Sequence, residues 1–222
     1  MQVVVCFPTV NAARGATATE RWHARGYQVA VWVEGDFAAP PADLVIRAKN
    51  YPGYWGATNY VARAAVASGA DVVVCIGDDM DPDPTLLAEE IGRQFIDHFP
   101  GGLGVMQPTG DPMDGTTRIC GSPWLGAAWV RQAYRGAGPL WPEYRHYYGD
   151  EELLNVAKRH KLLWQRPDIT HWHHHWCRND RAREPIQPYQ KANSDRWWKH
   201  DQAIFVRRKA AAFPCSDLLE LA

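Results

Sequence analysis

Apolar runs and turn residues alternate along the first half of the chain with the spacing of a βαβ fold. Met1 to Phe7 (MQVVVCF) is a valine-rich apolar run ending at Pro8, the pattern of a strand buried on both faces. Residues 14 to 25 fit a helix stopped by Gly26, and Tyr27 to Val33 (YQVAVWV) is a second apolar strand closed by Glu34-Gly35-Asp36. A short strand, Leu44 to Arg47, follows Pro40-Pro41, and Tyr51 to Gly56 (YPGYWG) reads as a rigid aromatic loop. The next helix is expected from about Ala57 to Ser68, with Tyr60, Val61, Ala64 and Ala65 on one face and Gly69 ending it.

Asp71 to Ile76 is the next buried strand, and it delivers the chain to Gly77-Asp78-Asp79-Met80-Asp81 at its carboxyl end, the edge where ligands bind in open α/β sheets. Asp83-Pro84 reads as an N-cap with proline at the first helical position, and Leu87, Ile91 and Phe95 line one face of the helix that follows. Residues 107 to 148 are turn-rich, aromatic and irregular. A last clear helix begins at Asp150 with Leu153, Leu154 and Ala157 inward, followed by Leu162 to Trp164 and a histidine cluster. The pattern predicts one α/β domain over 1–176: a mostly parallel sheet flanked by helices in 1–106, an irregular second half in 107–176, and then a C-terminal extension over 177–222.

Composition narrows the class. The 222 residues carry a formal charge of -1 and 46% hydrophobic residues, which excludes a disordered chain and a polycationic nucleic-acid wrapper. No stretch approaches the roughly 20 apolar residues of a membrane span, and the N-terminal run lacks a basic leader region. Five cysteines, widely spaced and without CxxC, encode neither a disulfide framework nor a zinc site, so a reducing cytoplasm is expected. Eleven tryptophans suit carbohydrate handling as well as a core.

Three segments could carry chemistry. Asp78, Asp79, Asp81 and Asp83 follow a buried strand, and clustered carboxylates repel unless a cation sits among them, so a Mg²⁺ or Mn²⁺ site shared with substrate phosphates competes with a solvated, helix-capping loop. Asp150 and Glu151 open a helix, where dipole-favoured acids are ordinary but a rigidly held carboxylate can also serve as a general base. His171, His173 and His175 share one face of an extended segment, so two could reach one metal; packing against Trp172 and Trp176 is the alternative.

Taken in order, these segments resemble the GT-A-type glycosyltransferases of the family-2-like group. The resemblance rests on VVVCFPTVNA, VWVEGD, YPGYWGATNYVARAAVASGADVVVCIGDDMDPDP and GDEELLNVAKRHKLLWQRPDITHWHHH, and spans roughly residues 3 to 175. It implies a metal-dependent, inverting transfer of a sugar from a nucleotide-sugar, UDP- or GDP-linked, to an acceptor hydroxyl. The resemblance assigns nucleotide-sugar binding to Pro8, Thr9, Asn11, Glu34 or Asp36, Trp55, Asn59 and Asp78. It assigns the divalent ion to Asp79 or Asp81 with His171 or His173, catalysis to Glu151 with Asp150 beside it, and acceptor contacts to Gly121 and to Trp124 in the turn Gly121 to Gly126; for Trp124 and Trp55 a place in the core is the equal alternative. Asp-Glu stands where the family commonly has Glu-Asp.

Three other classes stay open: a catalytically inactive nucleotide-binding module of the same fold, a nucleotidyltransferase, although PTVNAARGA offers a single glycine for a phosphate loop, and, ranked below these, a metal hydrolase built on the histidines, which would leave the acidic motif needing a separate explanation. The acceptor is unassigned; a polysaccharide, a lipid phosphate and a modified nucleic acid are all compatible. The C-terminal Asp195-Arg196-Trp197-Trp198-Lys199 and Arg207-Arg208-Lys209 are expected to be a solvated, mildly basic surface.

Overall fold

The computed structural model describes residues 1–113, 115–178, 185–186 and 188–218; parts of the extension expected at 177–222 lie outside the described residues. In chain order the strands are β1 (Val3–Thr9), β2 (Gln28–Val33), β3 (Leu44–Arg47), β4 (Val72–Cys75), β5 (Met80–Asp81), β6 (Val105–Pro108), β7 (Trp124–Gly126), β8 (Leu163–Arg166) and β9 (Trp172–His173). The helices are α1 (Ala12–His23), α2 (Tyr54–Ala67), α3 (Ala88–His98), α4 (Ala127–Gln132), α5 (Gly149–Arg159) and α6 (Pro188–Ala210). A seven-stranded sheet runs in the order β3-β2-β1-β4-β7-β6-β8, and only β7 is antiparallel to its neighbours. This is the α/β architecture expected from the sequence, with a mostly parallel central sheet flanked by helices.

Alternation along β1 explains the layers, since successive side chains of a strand point to opposite faces. Val3, Val5 and Phe7 enter one apolar layer with Trp22 of α1 and Ile91 and Phe95 of α3. Val4 and Cys6 enter the other with Val61 and Ala65 of α2 and Leu153 and Ala157 of α5. Ile204 and Phe205 of α6 and Phe213 join that second layer, so this part of the C-terminal region shares the core. Among the described residues, no helix is long and apolar enough to cross a membrane.

Several elements depart from their sequence-based expectations for local reasons. α1 starts at Ala12 because the Asn11 side chain accepts the Arg14 N–H at 3.0 Å. α2 absorbs half of the expected aromatic loop: Gly53, at φ +90°, turns the chain so that the Tyr54 N–H meets the Arg145 carbonyl at 2.6 Å. Tyr60 then lies on the outer face, 63% exposed, while Val61 and Ala65 are buried. Asp83 caps the turn before α3 rather than the helix itself: its Oδ1 accepts the Thr85 and Leu86 N–H groups, and α3 begins at Ala88 with Glu90 accepting the Leu87 N–H. Trp124, expected in a turn, is a fully buried strand residue. Arg208, expected in solvent, is buried.

Candidate functional site

The carboxyl ends of β1, β2 and β4 lie side by side, and the acidic turn hangs from β4. Gly77 leaves the space that the Asp79 carboxylate fills; a Cβ there would overlap it. The Thr9 hydroxyl at the end of β1 donates to Asp78 at 2.7 Å. Beyond the turn, β5 pairs antiparallel with β9, Met80 opposite His173 and Asp81 opposite Trp172. That two-stranded ladder brings residues more than 90 positions apart together.

The ladder divides the four carboxylates. Asp79 Oδ1 lies 3.4 Å from His173 Nε2, and its Oδ2 lies 3.5 Å from the Arg14 guanidinium. Asp81 instead pairs with Arg21 at 2.6 Å and His174 at 2.7 Å. Asp83 is a structural cap whose second oxygen accepts the Thr170 N–H at 2.9 Å, tying the segment that leads into β9. Burial alone would raise the Asp79 carboxyl, but the facing His173, with Arg14, outweighs it and holds Asp79 well below the usual carboxylate range. A cleft of about 360 Å³ opens between α1 and this turn, lined by Arg14, Asp78, Asp79 and His174. A larger open hollow of about 580 Å³, between Asp97, His98, Trp164 and Arg166, holds none of these residues.

The start of α5 carries the second acidic pair. The Asp150 carboxyl is pushed up to about 6, by burial first and by the adjacent Glu151, while His173 lowers it. Tyr54 feels both Asp79 and Asp150, so the phenol, the two carboxylates and His173 share one electrostatic neighbourhood. Glu151 has a different one: burial raises its carboxyl, and the charge that opposes this is Lys209, at the end of α6. Asp150 thus shares the charge of His173 with Asp79, whereas the charge that Glu151 meets is Lys209.

The histidines separate as well. His173 and His175 have ring centroids 4.8 Å apart, and burial with the nearby His173 lowers His175 to about 4. His171 is outside this group. Its buried ring is edge-on to Trp22 and accepts the Trp124 indole N–H at 3.4 Å, and burial lowers it to about 3.

Of the residues assigned to the nucleotide-sugar, Pro8 is buried within β1, Asn11 is the exposed cap of α1, and Glu34 and Asp36 follow β2, half-buried and exposed. Burial raises the Glu34 carboxyl. Asn59 is held by the Leu140 backbone, donating to its carbonyl at 2.9 Å and accepting its N–H at 3.0 Å. Trp55 is buried against Gly149, where a Cβ would come within 2.7 Å of the indole. Trp55 and Asn59 thus position the chain around the site rather than line it. Trp124 is core, and the half-buried Gly121 lies in the loop whose Cys120 N–H donates to the Asp150 carbonyl at 3.1 Å.

No family model matches the chain, and neither does any curated protein. Among solved structures, the A197 protein from STIV is similar over 78% of this chain and 85% of its own, at 9% identity and a TM-score of 0.46. A mutant Drosophila β-1,4-galactosyltransferase 7, in complex with manganese, UDP-Gal and xylobiose, is similar over 88% of this chain and 80% of its own, at 9% identity and a TM-score of 0.42. At these values the likenesses assign the chain no activity.

The sequence reading missed Arg14, Tyr54, Asp111 and Asp201. Arg14 is the first cation after β1, the one available signal. Asp111 is buried and accepts two hydrogen bonds from Arg178, at 2.9 and 2.7 Å, and the His173 N–H at 3.0 Å, which fixes β9 from behind. Nothing in a lone aspartate of an irregular stretch announces that. Among the described residues, no three His, Cys, Asp or Glu side chains are arranged to hold a metal by themselves.

Proposed function

We propose that the protein is a metal-dependent glycosyltransferase of the GT-A type, family-2-like, moving a sugar from a UDP- or GDP-linked donor to an acceptor hydroxyl with inversion. One observation carries the reading: the β5–β9 ladder joins Asp79 to His173, with Asp150 in the same neighbourhood. Asp79 Oδ1 and His173 Nε2, 3.4 Å apart, have a separation near the about 3 Å between two ligands of one hexacoordinate ion. The carboxylate oxygen suits Mn²⁺ or Mg²⁺, the imidazole nitrogen favours Mn²⁺ of the two, and a pair of protein ligands would leave room for diphosphate oxygens. When bound, such an ion neutralises the charge that develops on the diphosphate leaving group.

The chain's own residues supply the rest. Asp78, held by Thr9, and the cleft beside α1 receive the nucleotide. Asp150 takes the proton of the acceptor hydroxyl as that oxygen bonds to the anomeric carbon and the bond to the diphosphate breaks. A carboxyl raised to about 6 is a better proton acceptor than an ordinary aspartate and is still mostly ionised at neutral pH. One displacement inverts the anomeric centre.

The test is a calorimetric titration of UDP and GDP with Mn²⁺ and with EDTA, followed by a screen of nucleotide-sugars for Mn²⁺-dependent hydrolysis or transfer. Binding that needs the ion, and turnover of one donor, are expected. Equal affinity in EDTA would overturn the metal role, and ion-dependent binding without turnover of any donor would leave an inactive nucleotide-binding module.

A further inference from the structure

Arg14 stands in the first turn of α1 with its guanidinium between the two carboxylates that open the acidic turn. Its Nε lies 3.4 Å from Asp78 and its Nη2 lies 3.5 Å from Asp79, with the side chain 15% exposed. Neither contact is the short fork of an arginine–carboxylate clasp, whose N···O distances are about 2.7 to 2.9 Å. The same side chain lines the cleft of about 360 Å³ that both carboxylates face. Asp79 is thus flanked by two nitrogen groups on its two oxygens, His173 on Oδ1 and Arg14 on Oδ2.

Two adjacent carboxylates in a half-buried turn need positive charge nearby, and Arg14 supplies it in this structure. A divalent ion on Asp79 would supply the same charge more strongly and would repel a guanidinium a few ångströms away. A guanidinium has donors only, and its planar fork matches phosphate oxygens. We infer that Arg14 is the resident counter-ion of Asp78 and Asp79, that a divalent cation displaces it, and that the displaced side chain then binds the diphosphate of the incoming nucleotide within the same cleft. The inference rests on the proposed metal and nucleotide site, and it adds an exchange of cations that orders the two binding events.

The exchange has two consequences of opposite sign, which separates it from a plain binding or structural role. Removing Arg14 takes away a competitor of the ion and a ligand of the phosphates. Calorimetry with Mn²⁺ alone, and with UDP and GDP at saturating Mn²⁺, on the wild type, Arg14→Gln and Arg14→Lys reads both. Arg14→Gln is expected to bind Mn²⁺ alone more tightly and the nucleoside diphosphate about ten- to a hundred-fold more weakly, the effect of losing a hydrogen bond to a charged group. Arg14→Lys, which keeps the charge without the fork, is expected to fall between. Unchanged or weaker Mn²⁺ binding by Arg14→Gln would overturn the exchange, whatever happens to the nucleotide, and so would unchanged nucleotide binding. Circular dichroism checks that Arg14→Gln is folded, and if it is not, Arg14→Lys carries the same comparison. A wild type that binds neither Mn²⁺ nor nucleotide would defeat the underlying reading instead, so the two failures look different.

Discussion

Arg208 of α6 closes on Glu152 of α5 through hydrogen bonds of 2.8 Å from Nε and 2.6 Å from Nη2, with both side chains buried. The Tyr144 hydroxyl donates to the same carboxylate at 2.7 Å, and the guanidinium lies 3.5 Å from the centre of the Trp141 ring. Removing one partner leaves the other charge buried without compensation, which costs about 3–5 kcal/mol. Glu152→Ala and Arg208→Met are each expected to lower the melting temperature by about 6 °C or more, given about 2–4 °C per kcal/mol for a chain of this size. A double variant that loses clearly less than the sum is the expected signature of the pair, measured by thermal unfolding.

Asp201 links the same helix to the turn before Asp150. Its carboxylate is fully buried and accepts the backbone N–H groups of Arg145, His146 and Tyr147 at 3.1, 2.8 and 2.8 Å. Tyr148, next in the chain, holds φ +65° and stacks on Phe205 of α6 with ring centroids 5.0 Å apart. Asp201→Ala is expected to speed amide exchange at 145–147 and to reduce turnover while ion-dependent nucleotide binding changes little. Asp201→Asn, which keeps an oxygen acceptor, is expected to be milder on both. Hydrogen exchange and the ratio of kcat to donor affinity check this.

Asp150→Asn is expected to lower kcat by about 10² to 10⁴, the usual contribution of a general base, with little change in donor binding. Glu151→Gln is expected to cost much less, because the charge it meets is Lys209 rather than the Asp79 side of the site. A larger loss for Glu151→Gln would return the base to Glu151. Steady-state transfer assays on the two variants decide.

Asp83 gives a dependence of stability on pH. Burial raises its carboxyl, but N–H donors from Thr170, Leu86 and Thr85 and the Thr85 hydroxyl outweigh that and hold it below the ordinary value. A folded-state pKa below the unfolded one, about 3.9, stabilises the protein above that pH and is lost as pH falls through the folded value. Asp83→Ala is expected to destabilise the protein at pH 7 by about 1–3 kcal/mol, and to flatten the loss of stability as pH falls below about 5. Urea unfolding across that range measures both.

Sequence by itself determined the strands of the parallel half and the acidic turn at the end of β4, because a strand buried on both faces must be a continuous apolar run and its carboxyl end must emerge at polar residues. The histidine segment and the Asp150-Glu151 helix start were legible for the same kind of local reason. Which carboxylate meets which histidine was not, since Asp79 and His173 are joined by the β5–β9 ladder and one step of register along it gives Asp81 a different partner. Nor could local pattern separate Asp150 from Glu151, whose difference lies in what α6 and β9 bring to each. His171 and Trp124 looked like surface chemistry and are one buried contact. Periodicity reports which face of an element is apolar, whereas a site is made of charges from distant segments, and only their packing fixes those distances.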